Sequence, residues 1–281
     1  MISVVVPAHD EEYVIARSLS AMVQGAEPGE LEVIVACNGC SDRTAEIARS
    51  FAGCVRVIEI DETSKTAALN AADDLARGFP RIYVDADVLL DLKSIRELAS
   101  VLERGEHDFA TPRVCLDSFQ SNWVVRAYYR VWTALPYNCD AGQVGTGVYA
   151  LSKIGRQRFQ RFPDVLNDDG FVRLLFHRSE RATVPAALST VQPPRTLQSL
   201  IRAKLRVRVG QRQLQAHFRN QDHREPVALA NLLRWLAIRP GIWPYLPVYA
   251  FVSIVIRCAS AWYKGGCTIA WGRDDSRAYA R

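Results

Sequence analysis

The chain opens with the stretch ISVVVPAHDEE, residues Ile2–Glu12, in which an unbroken apolar run gives way to a polar segment. Ile2–Val6 has the length and the β-branched composition of a buried strand. The residues that follow, Glu11–Gln24, carry apolar side chains at helical spacing and predict a helix. The first unit of the chain is therefore a strand, a short polar connection and a helix.

The same order of strand and helix recurs along the first hundred residues. Three further strands are predicted at Leu31–Ala36, Val55–Ile60 and Arg81–Val84. Three further helices are predicted at Asp42–Phe51, Ser64–Ala76 and Leu92–Glu103. Short apolar strands that alternate with helices predict an α/β fold, in which a mostly parallel sheet is flanked by helices on both faces.

Polar or acidic segments follow three of the predicted strands. These segments are Pro7–Asp10, Cys37–Cys40 and Asp85–Asp87. In a parallel sheet, ligands bind beyond the carboxyl ends of the strands. We therefore expect the three segments to meet in one cleft.

The triplet Asp85-Ala86-Asp87 is the strongest indication of chemistry. Two carboxylates one residue apart in a turn reach the same point, where one binds a hard divalent cation and the other holds the waters of the metal or a ribose hydroxyl. Like charges this close are unfavourable unless a cation or a hydrogen-bond donor compensates them. The alternative is an acidic turn that caps the next helix.

Three further polar segments precede this triplet. They are Pro7–Glu12, Asn38–Thr44 and Ser64–Asn70. As an ordered set, over about Ile2 to Phe176, the four segments resemble those of the family-two glycosyltransferases, which have the GT-A fold. The chain departs from the family pattern at Asp10, where Asn is usual, and at Asn38, where an Asp usually meets the nucleobase.

The resemblance implies a nucleotide-sugar donor and a divalent metal, Mn²⁺ or Mg²⁺. It implies a donor pocket that contains Pro7, His9, Glu11, Asn38, Lys65, Asp85 and Asp87. Within this pocket Asp87 is expected to bind the metal, and Asp85 to support the metal or the ribose. For Lys65 the alternative is a local ion pair with Asp61 or Glu62.

A second acidic pair, Asp168-Asp169, precedes an apolar segment that predicts a helix, Phe171–Phe176. An inverting transfer needs one carboxylate to take the proton of the acceptor hydroxyl. In the family, the second member of such a pair is the usual base. The resemblance therefore implies Asp169 as the base, with Asp168 in support, and the alternative is an N-terminal helix cap.

The middle of the chain, from about Asp108 to Ala187, shows less regular patterning. A glycine-rich loop there precedes a short predicted strand at Val148–Leu151. By the same resemblance, its residues Gly145, Thr146 and Gly147 line the acceptor side. The alternative for this loop is an ordinary turn.

The 281 residues carry a net charge of +5, and the basic residues are unevenly placed. Between Arg181 and Gln221 there are eight lysines and arginines and no Asp or Glu. Within this stretch Leu197, Ile201, Leu205 and Val209 recur every four residues, which predicts a basic amphipathic helix. Such a stretch favours an anionic partner, and the alternative is a solvated helix face. We expect no nucleic-acid partner, because no recognised nucleic-acid-binding module is present.

The C-terminal segment Ile242–Ile256 is almost entirely apolar and contains Pro244 and Pro247. Its fifteen residues are fewer than the roughly 20 that cross a bilayer, so we expect it to lie in a membrane interface or to pack on protein. This change of character predicts a catalytic domain at 1–195 and an appendage at 196–281. Without a signal peptide at its start, the chain is predicted to be cytoplasmic and peripheral at the inner face of the cell membrane.

The function predicted from these features is transfer of a sugar, with inversion, from a nucleoside diphosphate to an acceptor hydroxyl. The expected acceptor is a glycan or a lipid-linked sugar in cell-surface polysaccharide or glycolipid synthesis.

Two alternatives stay open, a nucleotidyltransferase of related fold and a catalytically silent glycan-binding or scaffold protein. The chain has neither a G-x-G-x-x-G after the first strand nor a phosphate-binding G-x-x-x-x-G-K-[ST], which argues against dinucleotide and P-loop enzymes. Its seven cysteines contain no second Cys-x-x-Cys pair, so a four-ligand zinc site is unsupported.

Overall fold

A computed structural model of the chain describes residues 1–51, 53–135, 147–218, 235–236 and 238–262. The strands in these ranges are β1 (Ile2–Ala8), β2 (Leu31–Asn38), β3 (Val55–Ile60), β4 (Arg81–Val84), β5 (Leu89–Leu90), β6 (Phe109–Leu116), β7 (Val148–Leu151) and β8 (Arg181–Val191). The α-helices are α1 (Ile15–Val23), α2 (Thr44–Arg49), α3 (Lys65–Leu75), α4 (Leu92–Glu103), α5 (Trp123–Trp132), α6 (Lys153–Arg156), α7 (Asp168–Leu174), α8 (Leu197–His217) and α9 (Leu246–Trp262). Short 3-10 helices lie at Arg178–Glu180 and at Pro240–Tyr245, the latter directly before α9.

The described strands form one sheet in the order β3-β2-β1-β4-β7-β6-β8-β5. Strands β3, β2, β1 and β4 are parallel, as predicted. Beyond β4 the sheet is mixed, because β7 runs antiparallel to both of its neighbours, β4 and β6, while β6 and β8 are parallel. The parallel half therefore brings the carboxyl ends of the first strands to one edge, and the mixed half continues the sheet beyond them.

The core lies on both faces of the parallel half. Val4 and Val6 of β1 belong to one cluster with side chains of α1 and α4, while Val5 belongs to a second cluster with side chains of α3 and α7. All three side chains are fully buried. Burial on both faces explains why the first strand reads as a continuous apolar run, and each such side chain contributes about 1.5–3 kcal/mol to folding.

Four helices begin at other residues than predicted. Helix α1 starts at Ile15 and not at Glu11, whose N–H donates to Thr44 Oγ1 at 2.7 Å and joins the end of β1 to the start of α2. Helix α2 starts at Thr44 and not at Asp42, and α3 starts at Lys65 and not at Ser64, which is its N-cap. Helix α7 starts at Asp168 and not at Phe171, because Asn167 caps it by accepting from the N–H of Gly170. The capping role considered for the second acidic pair thus belongs to Asn167.

The basic amphipathic helix predicted around residues 197–209 is present as the 21-residue α8. Thr196 caps its start, and its apolar side chains pack with α5 and α9 around Leu200, Val252 and Ile256. Arg212 of α8 donates to the carbonyl oxygen of Ser260 at 2.7 Å, which ties the two C-terminal helices together.

The apolar C-terminal segment is longer and more regular than expected. Helical structure runs without a break from Pro240 to Trp262, because Pro247 lies in the first turn of α9, where a missing N–H costs no hydrogen bond. Pro240–Ala261 has 22 residues and is long and apolar enough to cross a membrane by length and composition alone. The core helices of soluble proteins can have the same length and apolar composition, but they are mostly buried. Only 17% of an 18-residue window of this helix is buried.

Candidate active site

A cleft of about 380 Å³ opens at the carboxyl ends of β1 and β4. Of the residues predicted from the sequence, it is lined by Pro7, His9, Glu11, Lys65, Asp85, Asp87, Gly147, Asp168 and Asp169. Residues up to 162 positions apart, Pro7 and Asp169, therefore lie around one space. Of the three strand-end segments expected to meet there, Pro7–Asp10 and Asp85–Asp87 contribute to the lining, whereas no residue of Cys37–Cys40 does. Gly145 and Thr146 lie outside the described residues.

Lys65, the first residue of α3, joins the two acidic pairs. Its Nζ lies 2.7 Å from Asp85 Oδ1 and 2.8 Å from Asp168 Oδ1. Burial alone would lower the pKa of Lys65, but the carboxylates of Asp168 and Asp85 outweigh burial and hold it above its ordinary value. The ion pairs of Lys65 thus cross the cleft and do not run to its sequence neighbours, which were the local alternative.

The two members of the second acidic pair have different surroundings. Asp168 is 3% exposed, pairs with Lys65 and accepts a hydrogen bond from the hydroxyl of Tyr149 at 3.2 Å. Asp169 is partly exposed in the cleft, and its Oδ1 accepts from the N–H of Gly170 at 2.6 Å. The charge of Asp168 is therefore committed to its protein partners, whereas Asp169 faces the space where a ligand would lie.

The acidic triplet lies directly against Gly147. The N–H of Asp85 donates to the carbonyl oxygen of Gly147 at 2.8 Å, and a Cβ added to Gly147 would lie 2.9 Å from Asp85 Oδ2. Gly147 also has a φ of +72°, which favours glycine. The alternative capping role of the triplet is not seen, because the N-cap of α4 is Asp91.

The expected nucleotide side of the cleft is built from the ends of β1 and β2. His9 Nδ1 lies 2.6 Å from the carbonyl oxygen of Asn38, and Asp10, at a φ of 53°, accepts from the N–H of Ser41 at 2.7 Å. Burial would raise the pKa of Asp10, but the hydrogen bonds from Ser41 outweigh burial and lower it. The side chain of Asn38 is fully buried, does not line the cleft, and has no hydrogen-bond partner among the described residues.

The carboxylates that line the cleft fit a hard divalent cation. Asp85 and Asp87 offer oxygen ligands, and Lys65 alone cannot neutralise them together with Asp168 and Asp169. Within the described ranges, one group of acidic and thiol side chains has all its ligand atoms within 4.8 Å of one another. This group is Asp10, Cys40 and Asp42, and it does not include the triplet. An ion at the triplet would therefore need further ligands from a diphosphate or from water.

Lys204, Tyr129 and Trp132 also line the cleft, and the sequence pattern did not single them out. Lys204 of α8 lies over the rings of Tyr128, Tyr129 and Trp132 of α5. The pattern of α8 grouped Lys204 with its surface arginines. Tyr149, which holds Asp168, also gave no signal, because it is one residue of an ordinary buried strand.

Comparison with known proteins settles the family. The sequence profile of the family described as "Glycosyl transferase family 2" matches residues 3–162, more than half of the chain. The chain belongs to glycosyl transferase family 2. This match confirms the family and the glycosyltransferase class that the sequence motifs predicted.

Two curated relatives cover part of this family-2 chain. "Glycosyltransferase AglD" of Haloferax volcanii is 36% identical over 118 residues, which are 39% of this chain and 19% of that protein. "Dodecaprenyl-phosphate galacturonate synthase" of Rhizobium johnstonii is 34% identical over 116 residues, 38% of this chain and 34% of that protein. The matched segments thus span about a fifth and a third of these relatives.

A solved structure extends the likeness to the whole chain. It is a mannosyltransferase, PcManGT of Pyrobaculum calidifontis, in complex with GDP-Man and Mn²⁺, with a TM-score of 0.63 at 19% identity. The likeness covers 99% of this chain and 77% of that one. At this identity the comparison shows the fold, and it confirms the GT-A-like architecture expected for the family-2 chain.

Proposed function

We propose that this family-2 glycosyltransferase moves a sugar from a nucleoside diphosphate donor to an acceptor hydroxyl with inversion. The observation that carries the proposal is one cleft in which Lys65 joins the triplet Asp85–Asp87 to the pair Asp168-Asp169. A metal-binding acidic pair and a separate carboxylate base are the two requirements of such a transfer. Pro7, His9 and Glu11 are proposed to line the nucleotide end of this cleft, with Asn38 behind them.

We propose that Asp87 and Asp85 would hold the divalent cation, Mn²⁺ or Mg²⁺. When bound, such a cation supplies positive charge that stabilises the departing nucleoside diphosphate. The ammonium of Lys65 holds one carboxylate oxygen of Asp85, and the carbonyl oxygen of Gly147 accepts from the backbone N–H of Asp85. Two contacts therefore position Asp85. The proposed role of Gly147 is therefore to leave room beside Asp85, with Gly145 and Thr146 on the acceptor side.

Asp169 is the proposed base. It takes the proton of the acceptor hydroxyl as that oxygen attacks the anomeric carbon and the bond to the diphosphate oxygen breaks. The contrast with Asp168 supports this assignment, because Asp168 is buried and its charge is shared between Lys65 and Tyr149. Asp168 is proposed to position Lys65 and the start of α7.

We further propose that the acceptor is a glycan or lipid-linked molecule and that residues 196–281 form the membrane-associating appendage. Helix α9 packs one face on α5 and α8, but it leaves Phe251 and Ile254 60% and 58% exposed, and Trp243 before it is 53% exposed. Exposed apolar and aromatic side chains on one helix face favour a position in a membrane interface. The proposed location is the one expected from the sequence, peripheral at the cytoplasmic face of the membrane.

A thermal-shift screen of nucleoside diphosphates with Mn²⁺ tests the donor site. A ligand at 100 times its Kd adds about 2.7 kcal/mol of stability, so one diphosphate should raise the melting temperature clearly. The rise should need the metal and should vanish in Asp87→Ala. If no diphosphate stabilises the protein with either metal, the proposed function is wrong.

A further inference from the structure

The ammonium group of Lys204 lies against a cluster of three aromatic rings. Its Nζ is 4.3 Å from the ring centroid of Trp132, 5.0 Å from that of Tyr129 and 5.7 Å from that of Tyr128. All three distances fall within the range in which a cation is attracted to an aromatic ring. The rings belong to α5 and the lysine to α8, so the packing of two helices fixes the position of the charge.

Lys204 differs from Lys65 in its charge balance. Lys65 has two carboxylates within 2.8 Å, whereas no carboxylate in the described part of the chain lies within ion-pair distance of Lys204. Burial lowers the pKa of Lys204 to about 8, and no acidic group offsets that effect. A partly buried cation without a counterion is unfavourable, and an anionic ligand would relieve the cost.

The neighbourhood of Lys204 combines this charge with apolar surface. Lys204, Tyr129 and Trp132 line the same cleft as Asp169, together with the apolar side chains of Leu116 and Val191 from the ends of β6 and β8. Tyr128 also stacks on Tyr249 of α9, with the ring centroids 5.0 Å apart. The cation therefore shares the cleft with the proposed base, and its aromatic cluster contacts the helix that carries the exposed apolar face.

We propose that Lys204 binds a phosphate or diphosphate group of an amphiphilic acceptor, while Tyr129 and Trp132 hold its ammonium toward the cleft. This inference rests on the proposed function, since it places the acceptor on the side of the cleft away from the nucleotide. The phosphate would pair with the ammonium, and the apolar part of the acceptor would lie along the β6, β8 and α5 side chains toward α9.

Calorimetric titration of the full chain without metal tests this site. The probes are geranyl phosphate, inorganic phosphate and neutral geraniol, which separate an amphiphilic phosphate from a free one. We expect geranyl phosphate to bind, geraniol to bind far more weakly, and Lys204→Met to weaken geranyl phosphate at least about tenfold, the loss expected for one charged hydrogen bond. Lys204→Arg should retain binding, and the matched control Lys93→Met, at an exposed position of α4, should not change it.

The outcomes separate the inference from its alternatives. If inorganic phosphate binds as tightly as geranyl phosphate, and this binding needs Lys204, the anion site is supported but its ligand is a free phosphate and not an amphiphile. Unchanged affinity for geranyl phosphate in Lys204→Met would overturn the inference and leave Lys204 as a packing residue. If that variant does not fold, acetylation of wild-type Lys204 decides, because geranyl phosphate should protect it and absence of protection contradicts the site. Titration of wild type with GDP or UDP and Mn²⁺ tests the donor site separately, so its failure counts against the proposed function alone.

Discussion

Replacing Lys65 by Met removes the cation that joins the two acidic pairs and keeps most of the length of the unbranched side chain. The side chains of Lys65 and Asp168 are 18% and 4% exposed, so their ion pair is largely buried. Breaking a buried pair by removing one partner costs about 3–5 kcal/mol. The second pair adds less, within about 1 kcal/mol, because the side chain of Asp85 is 37% exposed.

The loss at pH 7 follows mainly from the more buried of the two pairs. We expect Lys65→Met to lose about 3–5 kcal/mol of unfolding free energy, since the carboxylate of Asp168 is left buried without its cation. The pair with Asp85 adds at most about 1 kcal/mol to this loss.

Urea denaturation of the wild type and Lys65→Met at pH 7 measures this difference. Lys153→Met is the matched control, since Lys153 is exposed and away from the cleft. Adding Asp168→Asn to Lys65→Met should restore part of the stability at pH 7, because the uncompensated charge is removed. A loss no larger than that of Lys153→Met would show that the ion pairs of Lys65 do not stabilise the fold.

Three further changes test other parts of the cleft and the C-terminal helix. Asp169→Asn should keep nucleoside diphosphate binding in calorimetry but lower sugar transfer about 100-fold, the usual scale for a positioned base, and normal turnover would contradict the assignment. Gly147→Ala should weaken Mn²⁺-dependent diphosphate binding because its Cβ meets the carboxylate of the acidic triplet, whereas Gly105→Ala, at a similar φ with no atom within 4 Å, should not. Phe251→Asp should reduce flotation of the full chain with anionic vesicles, and Phe119→Asp, at an even more exposed position, should leave it unchanged.

Most of the parallel half of the sheet could be predicted because β1, β2 and β4 are buried on both faces. A fully buried strand is a short apolar run, and the bounds predicted for Arg81–Val84 agree with β4. The bounds predicted for the partly exposed edge strand β3, Val55–Ile60, also agree. Helix α4, Leu92–Glu103, also agrees with its prediction, because its apolar spacing is regular and Asp91 caps it. Local pattern was sufficient at these places.

The middle of the chain could not be predicted in the same way. Strand β6 contains Pro112 and is partly exposed in its second half, so it lacks a continuous apolar run. Its pairing with β8 joins residues about 70 positions apart. The apolar face of α5 is buried by α8 and α9, which lie far from it in the sequence. The same holds for Lys65 and Lys204, since nothing local shows that one faces two carboxylates and the other three aromatic rings.

Product analysis with the full chain tests directly whether the protein transfers a sugar from a nucleoside diphosphate. The protein would be incubated with a panel of UDP- and GDP-sugars and Mn²⁺, and the released nucleotide and phosphate species would be separated by chromatography. We expect release of the nucleoside diphosphate together with the sugar, by transfer or slow hydrolysis, and its loss in Asp87→Ala. Formation of a nucleoside triphosphate and a sugar 1-phosphate when pyrophosphate is added, which is the reverse reaction of a nucleotidyltransferase, would contradict this mechanism. Equal release of the nucleoside diphosphate by Asp87→Ala would contradict it as well.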